Sequence, residues 1–289
     1  MSDDRPASSQ RFLTGLIGAP IAHSASPAMH EQAADALGVR CHYHLIEVAG
    51  AGRDELRALL DGVRRLGFAG VNVTFPYKEA VVNLLDQLSP TAAATAAVNA
   101  VVIRDGRLVG YNTDTTGFVR AAANLVADSG PGTIAVVGAG GVGKAIAFAL
   151  ACLGVAEIRI FDTDRSKAIT LATLLRATGA IVVADSVEDA LRGAVGLVNA
   201  TPVGMLPGSG TPVPDVLLHD GLWVADAVYS PLRTPLLMAA QAKGARIMTG
   251  RELAIYQAAD AFELFTGLKP STNVMADAFD GVMAKAAAA

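Results

Sequence analysis

One stretch of this chain leaves little choice of surroundings. Gly138-Ala139-Gly140-Gly141-Val142-Gly143 follows the apolar run IAVV directly and precedes the helical run KAIAFALACLG. Glycines spaced as G-x-G-x-x-G between a strand and a helix each do a separate job. Gly138 permits the tight turn, Gly140 lets the backbone approach a pyrophosphate, and Gly143 allows close helix packing, while the helix N-terminus offers N–H groups to the anion. The motif predicts a doubly wound nucleotide-binding sheet, and EIRIFD, AIVVAD, GLVNATP, LWVADAVY and RIMTG supply its later strands. The plainer alternative is a glycine-rich turn kept for packing alone.

The strand EIRIF ends at Asp162, 24 positions beyond Gly138, near the place expected for a ribose-binding acid. A carboxylate there accepts hydrogen bonds from ribose hydroxyls and repels a 2′-phosphate, and Asp164 adds to the repulsion, so NAD is expected rather than NADP. Asp164 precedes a helical run and reads as its N-cap, which leaves Asp162 for the ribose. Arg165 counts the other way, because a nearby guanidinium accommodates a phosphate.

Before the glycine loop the chain alternates strand-like and helix-like runs: FLTGLIG, PAMHEQAADALG, CHYHLIEV, DELRALLDGVRRLG, AGVNVTF and YKEAVVNLLDQL. Asp105-Gly106 between two alternating runs predicts a hairpin, and hence a mixed sheet. With 289 residues, 52% of them hydrophobic, two α/β domains are expected, with a boundary near the SGPG loop at 129–132.

Composition narrows the partners. The net charge is -4 and the 23 Lys and Arg residues are scattered, which argues against nucleic acid. The first twelve residues are polar and acidic and read as a floppy tail rather than a secretory signal. The apolar run from Ala145 to Ala156 is too short to cross a bilayer. Cys41 and Cys152 lie far apart, which fits a reducing cytoplasm, and Cys152 reads as a small buried thiol in a helix. His42 and His44 share one face of a strand without a third ligand nearby, so no metal site is expected. Aromatic residues make up 5% and form no obvious interface cluster, which leaves monomer or homodimer open.

The chemistry is carried by scattered polar residues. Asn72 and Thr74 share a strand face, Lys78 falls near the first turn of an expected helix where the macrodipole disfavours a cation, and Asn99 opens a strand. Asp114, Ser24 and Ser26 precede helices. Each has a structural reading: Asp114 and Ser26 as N-caps, the latter with Pro27 at the first helical position, and Lys78 as a solvated surface lysine.

Taken together, GLIGAPIAHSASPAMH, GVNVTFPYKEAV, AVNAVV, GYNTDTTGF, VVGAGGVGKAIAFAL, VNATPVGM, DAVYSPLRTPLL and YQAADAFELFTG resemble the shikimate dehydrogenase family, in order and over nearly the whole chain. The resemblance implies NAD-dependent oxidation of a ring hydroxyl of shikimate. Ser24 and Ser26 would bind the substrate carboxylate, Asn72, Thr74, Asn99, Asp114 and Gln257 the ring hydroxyls, and Lys78 and Asp114 would flank the reacting one. Thr201, Val228, Tyr229 and Gly250 would border the nicotinamide, Tyr229 also facing the substrate. The same resemblance has residues 12–117, completed by helices in 252–289, form the substrate domain and 118–251 the Rossmann domain. Oxidising a secondary alcohol needs a proton acceptor as hydride leaves, and Lys78 is the candidate, either as the base or as the group that stabilises the alkoxide.

Departures from the family sharpen this. NADP-preferring members carry an Asn-Arg-Thr turn where this chain reads Asp162-Thr163-Asp164, which points to NAD and to the quinate/shikimate dehydrogenases that oxidise a ring acid as carbon source. Ser26 stands where quinate-using relatives tend to carry Thr, so shikimate is expected, with quinate as a second substrate. Glu31 stands where Asn is common in biosynthetic relatives. Two alternatives are an aminoshikimate dehydrogenase and a non-catalytic NAD-sensing regulator; a regulator would be expected to lack Lys78 or Asp114, and both are present.

Overall fold

The computed structural model describes residues 10–288. Of the expected tail, residues 1–9 lie outside the described ones, while Arg11 and Phe12 already belong to the first strand, paired with Arg40 and Cys41.

In chain order the first elements are β1 (Arg11–Gly18), α1 (Ser26–Ala36), β2 (Arg40–Glu47), α2 (Arg53–Arg65), β3 (Gly70–Val73), β4 (Gln87–Leu88), α3 (Pro90–Thr95), β5 (Ala100–Arg104) and β6 (Arg107–Tyr111). There follow α4 (Thr113–Ser129), β7 (Thr133–Val137), α5 (Gly141–Cys152), β8 (Glu157–Phe161), α6 (Arg165–Leu174), β9 (Ile181–Val183), α7 (Val187–Leu191) and β10 (Ala194–Asn199). The last are β11 (Trp223–Asp226), α8 (Pro235–Ala242), β12 (Arg246–Met248), α9 (Gly250–Thr266) and α10 (Thr272–Ala288). Contacts divide the described residues into two compact units, one of residues 10–89, 98–111 and 258–288, the other of 90–97 and 112–257.

The first unit holds a six-stranded sheet in the order β2-β1-β3-β5-β6-β4. β1, β2 and β3 run parallel and β5 runs against β3, so the sheet is mixed. The reversal is made at Asp105 and Gly106, both in the left-handed region at φ 52° and 73°, the geometry of a tight hairpin between twisted strands. Phe265 and Ala261 of α9 pack on Ala100 and Val102 of β5.

The expected helix over YKEAVVNLLDQL does not form. Residues 75–81 turn irregularly, Val82–Leu84 make a single 3-10 turn, and Gln87–Leu88 pair with β6 as an edge strand. The reason is non-local. Val98 donates its N–H to the carbonyl of Lys78 at 2.8 Å, removing an acceptor an α-helix would use, and Asp86 N–H donates to the Leu108 carbonyl. Lys78 therefore does not stand in the first turn of a helix as expected.

The second unit is a parallel six-stranded sheet in the order β12-β11-β10-β7-β8-β9. Its order reverses at β7, the switch point of a doubly wound sheet. The central strands β7, β10 and β11 are buried on both faces and are mostly apolar, while polar side chains stand at strand ends and on the outer strands, as with Glu157 and Arg159 of β8. Ile134 and Val136 face a core with Phe118, Ile146, Leu150 and Trp223, while Ala135 and Val137 face one with Leu197, Val224 and Leu237. The helix α5 turns Ala145, Ile146, Ala149 and Leu150 inward. Cys152, its last residue, falls off that face and is exposed, contrary to the buried thiol expected. Among the described residues no helix is long and apolar enough to cross a membrane.

Candidate functional site

In the first unit the sheet brings distant residues to one end of its inner strands. Leu16 pairs with Asn72 and Asn72 with Ala100, so the chain leaving β1 toward Ser24, the end of β3 and the start of β5 at Asn99 share that end. Asn72 and Asn99 are buried there, and Thr74 and Lys78 are half-buried just beyond. The Asn72 amide is held in one orientation. Tyr43 donates its hydroxyl proton to Oδ1 at 2.8 Å, and Nδ2 donates to the Asn99 carbonyl at 3.0 Å. Ser24 donates to Ser26 Oγ at 3.1 Å and accepts from the Ser26 N–H at 3.2 Å. Ser26 is the first residue of α1 rather than its cap, the cap position being Ala25 with no side-chain bond, so capping does not explain its hydroxyl.

Beside these sits a residue for which no sequence motif predicts a role. His30 is 1% exposed on α1, its ring 4.6 Å from that of Tyr43 and within 6.0 Å of Phe262 and Phe265. Neither ring nitrogen has a hydrogen-bond partner among the described residues, and burial pushes the imidazole down to about 3. Its neighbour Glu31 accepts the Tyr43 N–H at 2.9 Å on the edge strand β2, so this departure from the family pattern has a structural use in protecting an open sheet edge. His42 Nδ1 lies 3.6 Å from the same carboxylate, and its ring centroid is 6.1 Å from that of His44.

In the second unit Asp114 lies in the first turn of α4, buried, where the positive end of the helix dipole favours a carboxylate. The capping role goes to Asn112, which accepts from Thr115 N–H at 3.3 Å while its Nδ2 donates to Thr95 and to the Ala97 carbonyl. Gln257 comes close to Asp114 through α4: the Thr113 hydroxyl donates to the Gln257 carbonyl at 2.9 Å.

The glycine loop has the geometry its spacing predicts. Gly138 takes φ 104° and donates its N–H to Phe161, Gly140 occupies the N-cap position of α5, and no side chain caps that helix. A methyl on Gly143 would stand 2.1 Å from the Gly138 carbonyl oxygen, so only glycine lets α5 start this close to β7. Uncapped N–H groups at the start of a 12-residue helix fit a pyrophosphate. Ala139 and Val142 flank the turn, Ala139 buried in the core under the loop. Asp162 accepts the Ala139 N–H at 2.8 Å through Oδ2 and the Asp164 N–H at 2.9 Å through Oδ1. Asp164 caps α6 by accepting from Ser166, as expected. Arg165 is engaged, its guanidinium paired with Asp185.

Thr201, Val228 and Gly250 lie beyond the carboxyl ends of β10, β11 and β12. Thr201 donates to Asn199 Oδ1 at 2.7 Å, and Val228 donates its N–H to Asp226 Oδ1 at 2.9 Å. Gly250 lies against the Val228 carbonyl, and Tyr229 is half-buried. Asn199, Asp226 and Thr234, which hold these loops, escaped the sequence reading. Burial pushes Asp226 up to about 6, against the bonds donated by Thr234, Val228 and Asn199. A usable signal existed: polar residues at the last positions of two successive apolar strands, VNATP and VADAV, have no place in a core unless they bond to something.

Comparison with known proteins agrees with this architecture. Residues 16–101 match the family described as Shikimate dehydrogenase substrate binding domain, and residues 250–278 the Shikimate 5'-dehydrogenase C-terminal domain. A shikimate dehydrogenase (NADP(+)) of Streptomyces avermitilis is 43% identical over 92% of this chain and 94% of its own. A quinate/shikimate dehydrogenase (NAD(+)) of Corynebacterium efficiens is 45% identical over 93% of this chain and 97% of its own. The structure of quinate dehydrogenase from Corynebacterium glutamicum in complex with NAD superposes with a TM-score of 0.86 at 40% identity, covering 94% of this chain and all of that one. The chain belongs to the shikimate dehydrogenase family.

Proposed function

We propose that this oxidoreductase catalyses the reversible oxidation of the ring 3-hydroxyl of shikimate to the 3-dehydro ketone with NAD, and accepts quinate as a second substrate. The observation that supports the reading is the pairing in the first unit that sets the end of β1, the end of β3 with Asn72 and the start of β5 beside Asn99 next to one another, so that the stretches carrying Ser24 and Ser26, Thr74 and Lys78 all leave from that one end of the sheet. Two serine hydroxyls suit a carboxylate, and two buried amides with a threonine suit ring hydroxyls, because a site built to hydrogen-bond such groups rejects analogues that lack them. Residues 12–117 with 252–289 would form the substrate domain and 118–251 the dinucleotide domain. Lys78 takes the hydroxyl proton or stabilises the alkoxide, while Asp114 and Gln257 orient the reacting alcohol. The nicotinamide, when bound, supplies the hydride acceptor.

The loop Gly138 to Gly143 would hold the pyrophosphate and Asp162 the adenosine ribose. The relatives named above divide between NAD and NADP, so the preference rests on this chain's own charges. Near Arg165 stand Asp162, Asp164 and Asp185, with the guanidinium committed to Asp185. A 2′-phosphate would enter a field of carboxylates, and like charges brought together cost several kcal/mol, which is about a hundredfold or more in affinity. Initial rates with each cofactor test this. The wild type is expected to show kcat/KM for NAD about a hundredfold above that for NADP, and the triple variant D162N/T163R/D164T to reverse the order. Equal use of both cofactors by the wild type would remove the argument. A parallel panel of shikimate, quinate and the 3-amino analogue identifies the ring acid. Two unpaired thiols, one exposed, fit a cytoplasmic location, and the chain would work as a monomer or homodimer on a small cyclic hydroxy-acid.

A further inference from the structure

We propose that Asp226 is a positioning residue for the nicotinamide half of the dinucleotide: its carboxylate ties the loop after β10 to the loop after β11 and so sets the shape of the nicotinamide pocket. The inference rests on the assignment of Thr201 and Val228 to that pocket.

Asp226 is 1% exposed and closes β11. Its Oδ1 accepts from Asn199 Nδ2 at 2.9 Å and from Val228 N–H at 2.9 Å, and its Oδ2 accepts from the Thr234 hydroxyl at 2.7 Å. The three donors come from separate places: the end of β10, the chain just past β11, and the N-cap of α8. The network then extends outward. Asn199 Oδ1 accepts from both the N–H and the hydroxyl of Thr201, at 3.0 and 2.7 Å, and Thr201 Oγ1 accepts the Val203 N–H at 3.1 Å. One carboxylate thereby fixes the backbone of Val228 directly and that of Thr201 through one amide.

A buried carboxylate is a poor choice if packing were all that mattered, because desolvation makes it costlier than an apolar side chain of similar size. What it provides is direction: acceptor sites aimed at three donors at once. The location agrees, since ligands of doubly wound sheets bind outside the carboxyl ends of the strands. Sheet order also separates this network from the adenosine end. β8, which leads into Asp162, is two strands from β10 and three from β11, roughly 10 and 15 Å at ordinary strand spacing. Disturbing Asp226 should therefore loosen the nicotinamide and spare the adenosine half.

The test is binding of NADH and of ADP-ribose, which lacks the nicotinamide, to wild type, D226N and D226A. In D226A the Kd for NADH is expected to rise at least tenfold while that for ADP-ribose stays within twofold. D226N keeps one acceptor oxygen for Asn199 and Val228 and is expected to fall between, near a threefold rise. An equal loss of both ligands in D226A would show a general structural role, and no loss of either an idle one; both overturn the proposal. A wild type that binds ADP-ribose but gains nothing from the nicotinamide would refute the underlying assignment, and the inference with it. Should D226A fail to fold, T234V removes one bond alone and carries the same expectation at about threefold for NADH and none for ADP-ribose.

Discussion

Replacing Lys78 with alanine is expected to lower kcat for alcohol oxidation by about a hundred- to ten-thousand-fold, the usual contribution of a positioned proton-transfer group, with NAD binding unchanged. The bond from Val98 N–H to the Lys78 carbonyl fixes the backbone in the turn after β3, so the side chain starts from a defined place. An arginine at the same position separates the two roles open to the amine. Arginine keeps the charge but does not give up its proton in a protein. If Lys78 is the base, K78R falls as far as K78A; if it stabilises the alkoxide as a cation, K78R retains a substantial part of the rate. Near-normal kcat in K78A would contradict both roles.

The second large effect is on stability and concerns His30. Its imidazole is pushed down to about 3 by burial, whereas in the unfolded chain it titrates near its ordinary 6.5. Below pH 6.5 the unfolded state takes up a proton that the folded state refuses, so stability is lost as pH falls, by about 1.4 kcal/mol per pH unit until pH reaches about 3. At pH 4.5 this one residue accounts for a loss of about 3 kcal/mol relative to pH 7, large against the 5–15 kcal/mol typical of a domain. His30→Leu removes the effect, and at pH 7 it leaves no ring nitrogen without a partner in a cage of Tyr43, Phe262 and Phe265. Urea unfolding at pH 7, 6, 5 and 4.5 is expected to show the wild type falling away from the variant as pH drops. Parallel curves would mean that the imidazole is not buried neutral.

The features that were legible in the sequence are those whose cause is local. The glycine loop declares itself because strand, turn and helix lie within one short window, and Asp105-Gly106 does so because a two-residue hairpin demands left-handed backbone at both positions. Asp164 capping α6 is local as well. The misreadings share the opposite character. YKEAVVNLLDQL has a helical pattern, but the bond from Val98 to Lys78 and the pairing of Gln87–Leu88 with β6 override it. Among Asn112, Thr113 and Asp114 any could cap α4, and only contacts with Thr95 and Ala97 select Asn112. The Asn199–Asp226 bond joins residues 27 positions apart and becomes visible only when β10 and β11 are known to be neighbours. The same holds for Tyr43 and Asn72, 29 positions apart on strands separated by β1. Motif reading found the residues expected to touch ligands, while the residues that hold them in place depend on strand order.

Whether the protein is a ring-acid dehydrogenase that uses NAD is decided by the initial rate of NADH formation from NAD when purified protein is given shikimate or quinate. Saturable turnover of shikimate is expected, with slower turnover of quinate and far less with NADP in place of NAD. Protein that binds NAD yet oxidises neither acid would contradict it, leaving the nucleotide-binding fold intact and the substrate assignment wrong.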